Sequence, residues 1–160
     1  MGRIINENQI YEIAEKQRSS RKKIVLAGGC FDLIHLGHIK FLKEAKKKGD
    51  LLIILLESDE SVKRLKGKNR PINNQHERAE VLSAISYVDI IVKLKKVASN
   101  QEYDKLITQI EPHVIAATEE DSGINHKIRQ AKLVGAKVVF VTKKLNNRST
   151  SRLAKLGEIL

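Results

Sequence analysis

Three observations predict an α/β protein built on a parallel sheet. Five short runs of nearly continuous apolar residues recur along the chain, and each is followed by a stretch with helical spacing. A strand covered by helices on both faces reads as such a run rather than as an alternation. The two most motif-like stretches, around 28–38 and 148–152, follow the first and last of these strands, where parallel sheets bind their ligands. With right-handed crossovers the result is a doubly wound, Rossmann-like sandwich with a five-stranded parallel sheet.

The elements follow in order. Ile5 to Lys16 reads as an N-terminal helix with Ile10, Ile13 and Ala14 on one face. Lys23–Ala27 is a strand, Gly37–Lys48 a helix stopped by Gly49, and Leu51–Leu56 a second strand. Asp59–Lys66 is a short helix, and Gln75–Ile85 a longer one capped by Asn73 or Asn74, with Glu77 to complete the cap. Val88–Val92 is a strand, Gln101–Ile110 a helix ending before Pro112, and His113–Ala116 a strand. Ile124–Val134 is a helix ending at Gly135, Lys137–Val141 the last strand, and Thr150–Leu160 a terminal helix.

No repeat or linker interrupts the 160 residues, so they are expected to form one domain, 1–160, with 1–20 as a helical extension. The longest apolar run, Leu51–Leu56, is too short to cross a bilayer, and Met1 to Gln17 lacks a signal-peptide core. One cysteine, Cys30, excludes an internal disulfide and a cysteine-only metal site, and a cytoplasmic location is expected. The net charge of +11 attracts anions: nucleotides, phosphorylated metabolites or nucleic acid. Lys43, Lys46, Lys47 and Lys48 look like a solvated helix face, whereas Lys63, Arg64, Lys66, Lys68 and Arg70 crowd a better phosphate-contacting patch. At 4% aromatic residues and no Trp, stacking platforms for single-stranded nucleic acid are scarce. A nucleic-acid-binding protein and a silent nucleotide-binding module are the alternatives to an enzyme.

The segment Gly28-Gly29-Cys30-Phe31-Asp32-Leu33-Ile34-His35-Leu36-Gly37-His38 carries the chemistry. Two glycines after a strand let the backbone turn and approach a ligand closely. The helix start near Gly37 offers amide donors to an anion. His35 and His38, three apart, reach one side of that start, and Gly37 leaves room between them. Nucleotidyl transfer needs such parts: it is an in-line displacement at an α-phosphate, in which the protein positions anions and neutralises charge. Asp32 would orient a partner or a metal, and a zinc site lacks an obvious third ligand. Phe31, Leu33 and Leu36 read as packing residues, Cys30 as a small buried filler, and His76, His113 and His126 as ordinary histidines.

Gly29 to His38 resembles the signature of the HxGH cytidylyltransferase-like superfamily of nucleotidyltransferases. The similarity continues through Gly49-Asp50, Ser58-Asp59, Ser61 to Gly67, Arg70-Pro71, Glu77-Arg78, Val88-Asp89 and Ser149-Thr150-Ser151. The Gly-Cys-Phe-Asp form, the Lys-Arg-Leu-Lys-Gly loop and Arg-Pro-Ile-Asn most resemble the heptose-1-phosphate adenylyltransferase and glycerol-3-phosphate cytidylyltransferase branch. The resemblance implies transfer of AMP, or CMP, from an NTP to a sugar or polyol phosphate, with Mg²⁺ held mainly by the nucleotide phosphates and no protein metal ligand. It implies His35, His38 and Lys63 as catalytic residues. Gly28, Gly29, Cys30, Phe31, Asp32, Gly37, Lys66, Arg148, Ser149, Thr150 and Ser151 would bind the nucleotide. Arg78 would be a structural residue pairing with Glu77 or Asp89. A homodimer with ATP favoured over CTP is implied, with no membrane or nucleic-acid partner. Where relatives carry a Gly-Asp segment after the fourth strand, this chain departs, with Ala116-Ala117-Thr118-Glu119-Glu120-Asp121.

Overall fold

A computed structural model describes residues 1–95 and 99–143. The expected terminal helix, with Arg148, Ser149, Thr150 and Ser151, lies outside the described residues. Strands β1 (Arg3–Asn6), β2 (Ile24–Gly29), β3 (Leu51–Leu56), β4 (Ile90–Lys93), β5 (Val114–Thr118) and β6 (Lys137–Thr142) form one sheet. The helices are α1 (Ile10–Ser19), α2 (Leu36–Lys46), α3 (Asp59–Lys66), α4 (Gln75–Ser83), α5 (Asn100–Ile110) and α6 (Ile124–Val134).

All pairings are parallel, in the order β1-β4-β3-β2-β5-β6. The described sheet has six strands rather than five. Arg3–Asn6 pairs with Ile90–Lys93, and the Gly2 amide donates to the Ser83 carbonyl at 2.7 Å. Ile4 and Ile5, which suit one stripe of a helix, instead cover the open edge of β4. The helix therefore begins at Ile10, and residues 1–20 open with a strand rather than forming a helical extension. Backbone donors along an otherwise open edge outweigh the weak helical spacing of a four-residue segment.

β3, at the centre, is buried at every position from Leu51 to Leu56, each side chain worth about 1.5–3 kcal/mol of apolar burial. The period of two divides the core between the two faces. Val25, Ala27, Leu52, Ile54 and Leu56 meet Phe41, Leu42 and Leu82 of α2 and α4. Ile24, Leu26, Ile53 and Leu55 meet Ile10 of α1 and Leu106, Ile107 and Ile110 of α5. β2 is where the strand order reverses, with β3 on one side and β5 on the other, so the loop after β2 stands at the switch point of the sheet.

Local chemistry sets the helix ends. Asn74 caps α4, accepting from the Glu77 amide at 3.0 Å while the Glu77 carboxylate accepts from the Asn74 amide at 2.8 Å. Ser58 caps α3. Gly49 is obligatory for a different reason: a Cβ there would lie 2.6 Å from the Lys23 carbonyl. Lys46 is not part of a free basic face. It donates to the Asp89 carboxylate at 2.6 Å, and Asp89 also accepts from the Leu52 amide at 2.7 Å, fastening α2 to β3.

Candidate active site

β2 is buried from Ile24 to Ala27 and then surfaces at Gly28. A Cβ on Gly28 would meet nothing closer than the Leu55 carbonyl oxygen at 3.7 Å, so the strand end is open to a ligand. Gly29 is different: a Cβ there would sit 3.0 Å from the Phe31 ring, which lies over it. Phe31 adopts a left-handed backbone, φ 45°, a conformation that costs a bulky residue about 1–2 kcal/mol. Burial of its ring and the packing of that ring 5.3 Å from His38 hold it there.

His35 and His38 come together at the start of α2, with ring centroids 4.0 Å apart. His38 Nδ1 accepts from the His35 amide at 3.3 Å, and His35 Nδ1 accepts from the Gly37 amide at 3.1 Å. Two amides expected to face an anion are thus satisfied by the imidazoles. Each neutral ring in turn carries its proton on Nε2. Burial, and then the charge of His35, push His38 down to about 4, with hydrogen bonding to the Leu33 backbone acting the other way. Burial lowers His35 as well. The pair is neutral at pH 7, with the His38 ring held between the His35 amide and the Leu33 backbone.

Asp32 is buried and committed to the 70–73 segment. Its carboxylate accepts from Arg70 Nε at 2.5 Å, from the Ile72 amide at 2.9 Å and from the Asn73 amide at 3.0 Å. Burial alone would raise its pKa. The amides of Asn73 and Ile72 and the Arg70 guanidinium outweigh that and hold it below the usual carboxylate value. In this structure its oxygens fasten one loop to another.

Arg78 joins the loops from beneath. Its side chain is fully buried and donates to the carbonyls of Asn73, Cys30 and Glu57 and to the Asp59 carboxylate. The expected partners Glu77 and Asp89 are engaged elsewhere, in the α4 cap and with Lys46. Cys30 is partly exposed rather than a buried filler. Burial raises its pKa despite the opposing charge of Lys66, so the group stays a thiol at neutral pH.

Lys63 and Lys66 are exposed on α3, not in a loop. The charge of Lys66 reaches Cys30, whereas Lys63 lines a shallow depression with Glu60, Ser61 and Arg64 on its own helix. Lys143 is exposed beyond β6. His113 is not idle: its Nδ1 accepts from the Ile24 amide at 3.1 Å, at the amino-terminal ends of β2 and β5. The concavity that it lines with Arg18, Arg21 and Glu111 therefore lies away from His35 and His38.

Two residues at the site edge carried no motif signal. Glu57 follows β3, its amide donating to the Gly29 carbonyl at 3.2 Å, and the Tyr103 hydroxyl on α5 donates to its carboxylate. Burial, then the charge of Glu57, push the Tyr103 pKa up, so the phenol remains a neutral donor. An isolated Tyr in a helical pattern looks like core in any sequence.

A parallel sheet with an open strand end at Gly28 and paired neutral imidazoles at the switch point has the architecture of a cytidylyltransferase-like domain. The chain belongs to the cytidylyltransferase-like family, which matches residues 26–156. It is 41% identical over 156 residues to the bifunctional protein HldE of Wolinella succinogenes, covering 96% of this chain and 31% of that protein. It is 45% identical over 107 residues to bifunctional protein HldE of Aliarcobacter butzleri, covering 67% of this chain and 22% of the relative. The chain thus spans about a third or less of the length of these curated relatives. Among solved structures, the lipopolysaccharide core biosynthesis protein of Thermoplasma volcanium superposes with a TM-score of 0.60 at 25% identity, covering 77% of this chain and 97% of that one. Pantoate-beta-alanine ligase of Francisella tularensis, complexed with beta-gamma ATP and beta-alanine, shares the fold alone. Its TM-score is 0.69 at 16% identity, covering 97% of this chain and 73% of the ligase.

Proposed function

We propose that the protein transfers a nucleoside monophosphate from an NTP, ATP in preference to CTP, to a sugar or polyol phosphate, releasing pyrophosphate. The observation that carries this is the His35–His38 pair, neutral and with both Nδ1 atoms occupied by backbone amides. His35, its Nδ1 held by the Gly37 amide, is a preorganised Nε2–H donor for a phosphate oxygen, strongest where charge develops in the transition state. His38 would turn its own N–H from the Leu33 backbone to the same phosphate. The open end at Gly28 leaves room for substrate at the end of the strand, and Lys66 adds positive charge near Cys30. The acceptor phosphate attacks the α-phosphorus in line, and pyrophosphate leaves with the electron pair of the broken P–O bond.

Mg²⁺ belongs to the substrate, entering as MgNTP and held by the nucleotide phosphates. The carboxylate on the loop, Asp32, has both oxygens engaged by Arg70, Ile72 and Asn73 and fastens the loop rather than an ion. A homodimer and a cytoplasmic location complete the proposal.

The test is pyrophosphate release with ATP, CTP, GTP and UTP in Mg²⁺ against a panel of sugar, glycerol and vitamin phosphates, with His38→Ala as control. Release requiring one NTP and one sugar or polyol phosphate, abolished in the control, is expected. Nucleotide binding without release from any acceptor would overturn the assignment as an enzyme. Absence of nucleotide binding would overturn the site itself.

A further inference from the structure

We infer that Glu57, held by Tyr103, is the group that recognises sugar hydroxyls at this site, those of the acceptor or of the nucleotide ribose. The inference rests on the proposed transfer reaction and deepens it. The backbone of Glu57 is pinned at both ends. Its amide donates to the Gly29 carbonyl at 3.2 Å, and its carbonyl accepts from Arg78 at 2.8 Å. The side chain therefore leaves the end of β3 at a fixed point beside the Gly28–Gly29 turn, on the α5 face, where Gly28 leaves space.

The carboxylate there is unlike the others of the loop. Asp32 pairs with Arg70 and Asp59 with Arg78. Among the described residues Glu57 has no ion pair, although the chain carries 30 Lys and Arg. Its one hydrogen-bond donor is the neutral Tyr103 hydroxyl, which occupies Oε1 and leaves Oε2 without a partner among the described residues. A carboxylate with no ion pair among the described residues repels phosphate, so it does not suit the anionic ends of the two substrates. It is a strong acceptor for neutral O–H donors, and both substrates of the proposed reaction carry these on a sugar. Tyr103 acts as a positioning residue, fixing the carboxylate from behind.

The experiment is steady-state kinetics of Glu57→Gln and Tyr103→Phe with the NTP and acceptor that support wild-type turnover, plus NTP affinity measured without acceptor. Glu57→Gln is expected to weaken one substrate about tenfold or more, the loss of a hydrogen bond to a charged group, with kcat retained. A rise in acceptor KM at unchanged NTP affinity assigns the acceptor; weaker NTP binding assigns the ribose. Tyr103→Phe should shift the same constant by less, and add less in the Glu57→Gln background than in wild type. The phenylalanine variant keeps the test open should the glutamine one fold poorly. Unchanged constants for both substrates, or a fall in kcat alone, would overturn the inference while leaving the transfer reaction standing. A wild-type protein silent with every acceptor would overturn the transfer reaction and this inference with it.

Discussion

Arg78 donates to the carbonyl of Cys30 at 2.5 Å across 48 residues of sequence. The same guanidinium reaches the carbonyls of Glu57 and Asn73 and the Asp59 carboxylate, so the segments after β2 and β3 and the start of α4 share one buried cation. A planar fork with several donors can do this; an ammonium cannot. Arg78→Lys and Arg78→Met should each destabilise by about 3–5 kcal/mol, because buried acceptors lose their partner. Urea unfolding checks this. A midpoint equal to wild type would show that the loops hold without Arg78.

Asp32 is predicted to act on the 70–73 segment. Asp32→Asn leaves Arg70 facing a neutral amide and removes an acceptor from the Ile72 or Asn73 amide. A loss of about 3 kcal/mol is expected, in the range for breaking one side of a buried pair. Amide exchange should speed at Ile72 and Asn73 well before the β3 core opens. Uniform exchange in the two segments would show that Asp32 does not hold this loop.

What the sequence made legible follows from physical range. β3 was plain because six apolar residues in a row admit few other readings, and the Asn74 cap because its partner is three residues away. His35 and His38 met as expected, being on one turn. β1 was not legible: Arg3–Asn6 is a strand only because the edge of β4 receives it. The partner of Arg78 was likewise beyond reach, since Asp59 and the carbonyls of Cys30 and Glu57 carry no side-chain signature of convergence. Glu57 and Tyr103 lie 46 residues apart and meet through the packing of α5 on β3. Contacts within a turn are read from spacing; contacts through the sheet need the register.

The depressed His38 pKa sets a pH dependence of stability. The unfolded imidazole titrates near 6.5 and the folded one at about 4. Between these values the unfolded chain binds the extra proton, so stability falls as pH drops from about 6.5 to 4, by up to about 3 kcal/mol from this group. His35, shifted in the same direction, adds to the loss. Asp32, whose pKa is lowered from 3.8, contributes only below that window. The urea midpoint at pH 5 should therefore lie below that at pH 7.5, and His38→Asn should flatten the difference. An equal slope in the variant would remove His38 as its source.

The same imidazoles should reveal where nucleotide binds. A triphosphate beside neutral histidines stabilises their protonated form, raising both pKa values toward or above the working pH. Binding near pH 6 should then take up protons, because the free His38 ring is deprotonated there and the bound one in part is not. Calorimetric titration of MgATP in two buffers of different ionisation enthalpy measures the protons directly. The nucleotide's own γ-phosphate contributes to any one titration, so the informative quantity is the difference between wild type and the His35→Asn, His38→Asn double variant. A positive difference at pH 6 that fades by pH 8 puts the phosphates at the α2 start. No difference, with binding intact, would move the phosphates away from the histidines and leave them a structural role as caps of that helix.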